Sequence, residues 1–366
     1  MDYTAGRYER RSGVRYLSRS RHAGSAHALR NVRIPALRSK GSPGVLQDGS
    51  APRPDAGPAA MKSPVGRWFL SLRPYSFTAS LIPVLLALPA SLLREGYVLR
   101  WTVPVYTLAA VLFQSGTNVL NDYYDHLHGV DGPDDPDPTH AISRGYVTPR
   151  FMLLSGHLYF LLATGLGLII AFAARRGPFF LAAGLAGALG AYLYTGRRIS
   201  LKYLALGDLL VFLLMGPALV FLGVRAFSGV YRTYVLFLSL PPALLVTAIL
   251  HGNNLRDMES DRAAGVRTLA GLMGPAAARR LFATLIALAY GTVPVLVATR
   301  VIPLTGVIAF LSAPLAVRLA GRVVATGDER LHTLVDLPRQ TAKLHFLFSV
   351  LYIGGIALGP LAGLAW

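Results

Sequence analysis

Asn118, Asp122 and Asp125, in the stretch NVLNDYYDHLHGVD at 118–131, stand at i, i+4 and i+7. On a helix this spacing projects three oxygen-bearing side chains from one face. Asn254, Asp257 and Asp261, in HGNNLRDMESDRAAGVRTL, repeat the geometry at i, i+3 and i+7, and Gly265 then lets the chain turn. Clustered carboxylates repel one another strongly at low dielectric unless something cationic sits between them. Two facing sets of hard oxygen ligands suit Mg2+, which keeps part of its water shell and binds best when phosphate oxygens complete its octahedron. The expected chemistry is a Mg2+–diphosphate site, with Asn121 and Asp131 as further polar groups of the first half.

The nearby cations fit an anionic ligand. Arg144, Arg197, Arg198, Lys202, Arg256, Arg262 and Arg267 all fall near the two acidic sets; singly each reads as a topology residue, together they offset the diphosphate charge that the metal leaves. One Asp-rich turn after an apolar segment could merely cap a helix or solvate a loop, but a duplicated Asn/Asp spacing argues against that. Asp208 lies inside an apolar stretch, where an ionised carboxylate costs at least ~2.5 kcal/mol by insertion scales, so it is expected to face the protein interior, hydrogen-bonded or catalytic. His251 reads as a satisfied helix-end residue, and His126, His128 and His140 have no metal-ligand pattern.

The elements that must carry these groups are membrane helices. The chain has 366 residues, 53% apolar and only 15% charged, with a mean hydropathy of +0.47. Apolar stretches run at about 75–93, 101–121, 152–174, 178–194, 203–224, 234–251, 281–299, 301–317 and 344–366, each near the ~20 residues that cross a bilayer. They lack strict two-residue alternation, and an open sheet cannot satisfy its backbone in lipid, so an all-α protein of about nine transmembrane helices is expected. Residues 1–62 read as a disordered basic tail, with ten Arg and one Lys against four acids in the first 60. Met61 is a plausible start, the tail a plausible gene-model extension, and residues 63–366 a single domain. Beyond residue 60, 18 basic residues fall on the side of the acidic sets and seven on the other, which orients that side to the cytoplasm; Arg175 and Arg176 break the pattern.

Absence of cysteine excludes disulfides, thiolate metal sites and thiol catalysis. A transporter with an acidic vestibule would not need the duplicated spacing, and no pair of interrupted spans marks a midplane site. The contiguous D-x-x-D-G-x-x-A-R run of a CDP-alcohol phosphotransferase is missing.

N-x-x-x-D-x-x-D after the second span, D-x-x-x-D after the sixth and nine helices resemble the UbiA superfamily of intramembrane prenyltransferases. RPYSFTASLIPVLLA, NVLNDYYDHLHGVD, YTGRRISLKYLALGDLLVF and NNLRDMESDRAAGVRTL most resemble its menaquinone branch, the 1,4-dihydroxy-2-naphthoate polyprenyltransferases. The likeness implies Mg2+-dependent transfer of a polyprenyl group from its diphosphate to an aromatic acceptor, within the lipid bilayer, and no nucleic-acid partner. By that resemblance Asn118, Asp122 and Asp125 form the first Mg2+–diphosphate motif with Asp131 trailing, and Asp257 and Asp261 form the second, supported by Asn254. Tyr194 with Arg197, Arg198 and Lys202 resembles the segment that contacts diphosphate and helps close the site. The branch often has Gly-Pro where Arg197 and Arg198 stand and Lys where Val266 stands, and Arg198 resembles the hydroxybenzoate and other branches, so another acceptor stays open. The setting implied is a bacterial inner membrane, with the site facing the cytoplasm.

Overall fold

A computed structural model describes residues 64–129, 141–196 and 200–363; the basic tail, Asp131, Arg197 and Arg198 lie outside the described residues. In chain order the α-helices are α1 (Pro64–Ser71), α2 (Thr78–Pro89), α3 (Thr102–Leu127), α4 (Pro149–Ala173), α5 (Pro178–Thr195), α6 (Gly207–Leu213) and α7 (Leu219–Ser228). They continue as α8 (Tyr234–Leu238), α9 (Leu240–Arg256), α10 (Met258–Ala263), α11 (Leu269–Met273), α12 (Pro275–Ala298), α13 (Ala313–Ala325) and α14 (Leu337–Leu358). Short 3-10 and π turns join several of these end to end. The described residues contain no strand, only one isolated bridge between Leu204 and Arg267.

Eight helical segments among the described residues are long and apolar enough to cross a bilayer: Pro74–Arg94, Thr102–Leu127, Pro149–Ala173, Pro178–Thr195, Gly207–Ser228, Pro275–Ala298, Leu304–Ala325 and Leu337–Leu358. The expected ninth, at 234–251, differs. It is divided at Ser239 into α8 and the 17-residue α9, because Pro241 and Pro242 have no N–H to give the helix ladder. At 1.5 Å per residue α9 spans only ~26 Å, and its C-terminal end carries the second acidic set.

Sequence chemistry explains how the helices start, stop and pack. Thr148 caps α4, accepting from the Phe151 N–H at 3.3 Å, with Pro149 opening the first turn. Gly229 ends α7 in the left-handed region at φ 83°. Arg176 has a partner that accounts for its place against the charge pattern: its Nε donates to the Ala226 carbonyl at 3.0 Å, and Arg225 Nε donates back to the Arg176 carbonyl at 3.0 Å. The guanidinium thus satisfies the orphan end of a helix. Leu154, Leu161 and Phe172 on α4 are each 70% exposed, as a lipid-facing surface requires. In the joint between α6 and α7, Leu214–Ala218 forms a π turn around Pro217. Gly216 there lies so close to α9 that an added Cβ would stand 2.3 Å from the Ala243 Cβ, and only glycine allows that approach.

Candidate active site

Helices α2, α3, α5, α6 and α9 enclose a cavity of about 150 Å³ near the end of the bundle that carries the acidic sets. Of the sequence-predicted residues, Asn118, Asn121, Tyr194, Lys202 and Asn254 line it. Asn118 uses both amide hydrogens on α2-side partners, the Leu72 carbonyl at 2.8 Å and Ser76 Oγ at 3.2 Å. Its side chain therefore offers the cavity only an oxygen, Oδ1. Asn121 Nδ2 donates to Asp125 Oδ2 at 2.7 Å, and Lys202 Nζ donates to both, at 3.0 Å to Asn121 Oδ1 and 2.6 Å to Asp125 Oδ2.

The expected one-face geometry is modified in both motifs. At ~100° per residue, Asn118, Asn121 and Asp125 share a ~60° wedge of α3, while Asp122 stands ~40° beyond it. Asp122, 1% exposed, accepts the Ala141 N–H at 3.1 Å and so anchors the turn that begins at 141. Arg144 follows three residues later in that turn; it is not among the cavity-lining residues. In the second motif the helix breaks at Asp257, whose φ −90° and ψ 8° separate α9 from α10. Asn254 stays on α9, and Asp257 and Asp261 belong to the short segment beyond. Arg256 grips Asp257 with Nε and Nη2, both at 2.6 Å, and donates to Asn253 Oδ1 at 2.9 Å.

Electrostatics tie the two motifs together. Burial pushes the Asp261 carboxyl up to about 7; Lys202 opposes this, the negative charges of Asp257 and Asp125 add to it, and Arg256 opposes it. A carboxylate from α10 thus feels the field of one from α3. The Leu204–Arg267 bridge, with Ala205 N–H donating to the Arg267 carbonyl at 2.9 Å, ties the Lys202 connection to the loop after α10.

Among the described residues no three His, Asp or Glu side chains stand together as a ready-made metal cage. The donor set nevertheless fits Mg2+: an amide oxygen from Asn118 and carboxylates from both motifs, two of which, Asp125 and Asp257, are held by Lys202 and Arg256. Hard oxygens that already attract cations suit a divalent metal that keeps part of its water shell.

Asp208 resolves as an anchor. Its Oδ1 accepts from Asn254 Nδ2 at 3.1 Å and its Oδ2 lies 2.7 Å from His251 Nδ1, while His251 Nε2 lies 3.0 Å from the Ala278 carbonyl. The imidazole is thereby held between the Asp208 carboxylate and the Ala278 carbonyl. This network joins α6, α9 and α12 and orients Asn254. Sequence reasoning missed Arg73, Ser76, Gln114 and Asn253 on the cavity wall. Arg73 adopts φ 52°, a left-handed conformation unusual for a non-glycine residue and often retained at functional sites. It opens the RPYSF stretch, and Asn253 belongs to HGNN, so both lay inside motifs already singled out.

A second, apolar chamber of about 390 Å³ runs between α3, α4, α5 and the α6–α7 joint, toward the opposite end of the bundle. Ala191, Leu214 and Met215 line both spaces.

Residues 80–334 match the UbiA prenyltransferase family. The UbiA prenyltransferase domain-containing protein 1 of Homo sapiens is 36% identical over 299 residues, 81% of this chain and 85% of the relative. That of Xenopus tropicalis is 33% identical over 343 residues, 93% and 92% of the two chains. The structure of a UbiA homolog from Archaeoglobus fulgidus bound to GPP and Mg2+ is similar in fold, with a TM-score of 0.50 at 15% identity over 79% of this chain and 99% of that one.

Proposed function

Since this chain belongs to the UbiA prenyltransferase family, we propose that it transfers a polyprenyl group from polyprenyl diphosphate to 1,4-dihydroxy-2-naphthoate in menaquinone biosynthesis, with Mg2+ as cofactor. The observation that carries the reading is the junction of a polar cavity beside both acidic motifs with an apolar chamber through Ala191, Leu214 and Met215. A substrate with a charged head and a long hydrocarbon tail needs both environments in continuity. The solved homolog from Archaeoglobus fulgidus with GPP and Mg2+ supports the pairing of prenyl diphosphate and metal.

Asn118 Oδ1 and the carboxylates of Asp122, Asp125, Asp257 and Asp261 would hold Mg2+, which when bound neutralises the diphosphate and favours its departure. Lys202 and Arg73 face the same cavity and place positive charge beside the leaving group. The allylic carbon–oxygen bond breaks and the diphosphate leaves with the electron pair. Leu210, Val211, Leu214 and Met215 make an apolar wall that keeps water from the allylic cation. An electron-rich ring carbon then bonds to it, and loss of a proton or of the carboxylate as CO2 restores aromaticity. Tyr194 completes the cavity wall.

The same proposal places the acidic mouth on the cytoplasmic side of a bacterial inner membrane. The orientation is supported by the 18 basic residues on that face against seven, the bacterial setting by the menaquinone-branch motifs; the two relatives above are animal proteins. Arg198 favours the second reading, a hydroxybenzoate-like or other lipid acceptor. Purified protein given labelled geranylgeranyl diphosphate, a panel of aromatic acceptors and Mg2+ tests both. Transfer to 1,4-dihydroxy-2-naphthoate that stops with chelation is expected; transfer to none of the aromatics, or undiminished transfer without a divalent cation, would overturn the proposal.

A further inference from the structure

A buried polar ladder leads from the mouth into the cavity, and its members fix one another's orientation. Ser76 Oγ has a single hydrogen, which it donates to the Arg73 carbonyl at 2.8 Å. It can therefore only accept from its other neighbours, Asn118 Nδ2 and Gln114 Nε2, both at 3.2 Å. That forces the Gln114 nitrogen toward Ser76 and its oxygen toward Ser80, whose hydroxyl donates to Oε1 at 2.8 Å. One amide hydrogen of Gln114 is left with no partner among the described residues, on a side chain that is 8% exposed and lines the cavity.

Gln114 precedes Asn118 by four residues, so it lies one turn, ~6 Å, further along α3 from the metal and diphosphate groups. It is uncharged, and the cavity wall contributed by α6 and α9 includes Leu210, Val211, Val246 and Ile249. The cations that line the cavity, Arg73 and Lys202, serve the diphosphate, whereas a flat aromatic ring fits apolar walls and can present an oxygen to the amide. Leaving a buried donor unmatched is unfavourable, which favours a ligand that supplies an acceptor. Resting on the prenyl-transfer reading above, we propose that Gln114 is a specificity-determining residue that hydrogen-bonds a ring oxygen of the aromatic acceptor and so sets which ring carbon meets the allylic cation.

The test compares wild type with Gln114→Met, similar in volume without the amide, and Gln114→Glu, which keeps an acceptor for Ser80 and loses the donor when ionised. The probes are geranylgeranyl diphosphate with 1,4-dihydroxy-2-naphthoate and with its analogues lacking each hydroxyl in turn. Both variants are expected to raise the KM of the full acceptor at least about tenfold, to leave the KM of geranylgeranyl diphosphate unchanged, and to lose the wild-type preference for the full acceptor over one of the analogues. If Gln114 only clasps α2 to α3, both KM values move together or the preference survives in either folded variant, and the proposal is overturned. Wild type that transfers to no aromatic acceptor would instead sink the underlying reading before Gln114 is altered.

Discussion

Replacing Lys202 with Met probes how the site holds its carboxylates without metal. Lys202 Nζ sits 2.6 Å from Asp125 Oδ2 and 3.0 Å from Asn121 Oδ1, and the two charged side chains are 15% and 5% exposed. Removing one partner of a buried pair leaves an uncompensated charge and costs about 3–5 kcal/mol; the residual exposure of Lys202 puts this site at the lower end. About 3 kcal/mol corresponds to a drop in the metal-free melting temperature on the order of 6 °C. Mg2+ with diphosphate would replace the missing cation, so the stabilisation they confer should be larger in Lys202→Met than in wild type. Turnover should nonetheless fall by roughly tenfold to a hundredfold, since one charge-assisted bond to the leaving group is worth ~1.5–3 kcal/mol. Thermal unfolding in detergent with and without Mg2+ and diphosphate, alongside kcat per correctly inserted molecule, measures all three quantities. A metal-free melting temperature equal to that of wild type, or a kcat within about twofold of it, would refute the argument that Lys202 neutralises Asp125 and then the leaving group.

Asp257→Ala should abolish detectable transfer while the protein still inserts, and size-exclusion profiles beside a radiometric assay would show it. The Asp261 carboxyl, raised to about 7 from 3.8, holds a proton below that pH in the metal-free protein. Apparent Mg2+ affinity by calorimetry should therefore climb as pH rises toward about 7 and level off above, and Asp261→Asn should flatten that climb. The sign for metal-free stability is opposite: the native state binds the extra proton between 3.8 and about 7, so this contribution falls as pH rises through that window. Gly184 lines the apolar chamber and an added Cβ there meets nothing within 4 Å. Gly184→Leu should fold normally yet raise the KM of a long polyprenyl diphosphate by roughly tenfold relative to a short one, through overpacking, as a chain-length series would reveal. A protein beginning at Met61 should insert and turn over like the full chain in the same assay.

Much of the site could be read from local pattern, because its residues recur at helical intervals. The spacing of Asn118, Asp122 and Asp125 marked one side of α3, yet on these turns it is Asn118 and Asn121 that line the cavity, while Asp125 is held by Asn121 and Lys202 and Asp122 by the Ala141 N–H. Spacing fixes relative angle on a helix and leaves open which angle points inward. For a soluble helix the apolar stripe would settle that. Here lipid and protein interior are both apolar, so the hydrophobic pattern carries little information about which face is buried.

What the sequence determined by itself is therefore the membrane as solvent, the helices and the candidate polar groups they carry. Runs near 20 residues long, prolines and threonine at helix starts, a glycine at a helix end, and duplicated Asn/Asp sets follow from backbone chemistry within a few residues of each position. The tertiary structure decided the partners. Lys202 with Asp125, Asp208 with His251 and Asn254, Arg176 with Ala226 and Gln114 with Ser76 and Ser80 join positions 34 to 77 residues apart. A buried polar atom must find a complement, but which one it finds depends on which helices pack side by side. That is why Gln114 and Ser76 were invisible as site residues until α2 and α3 were brought together.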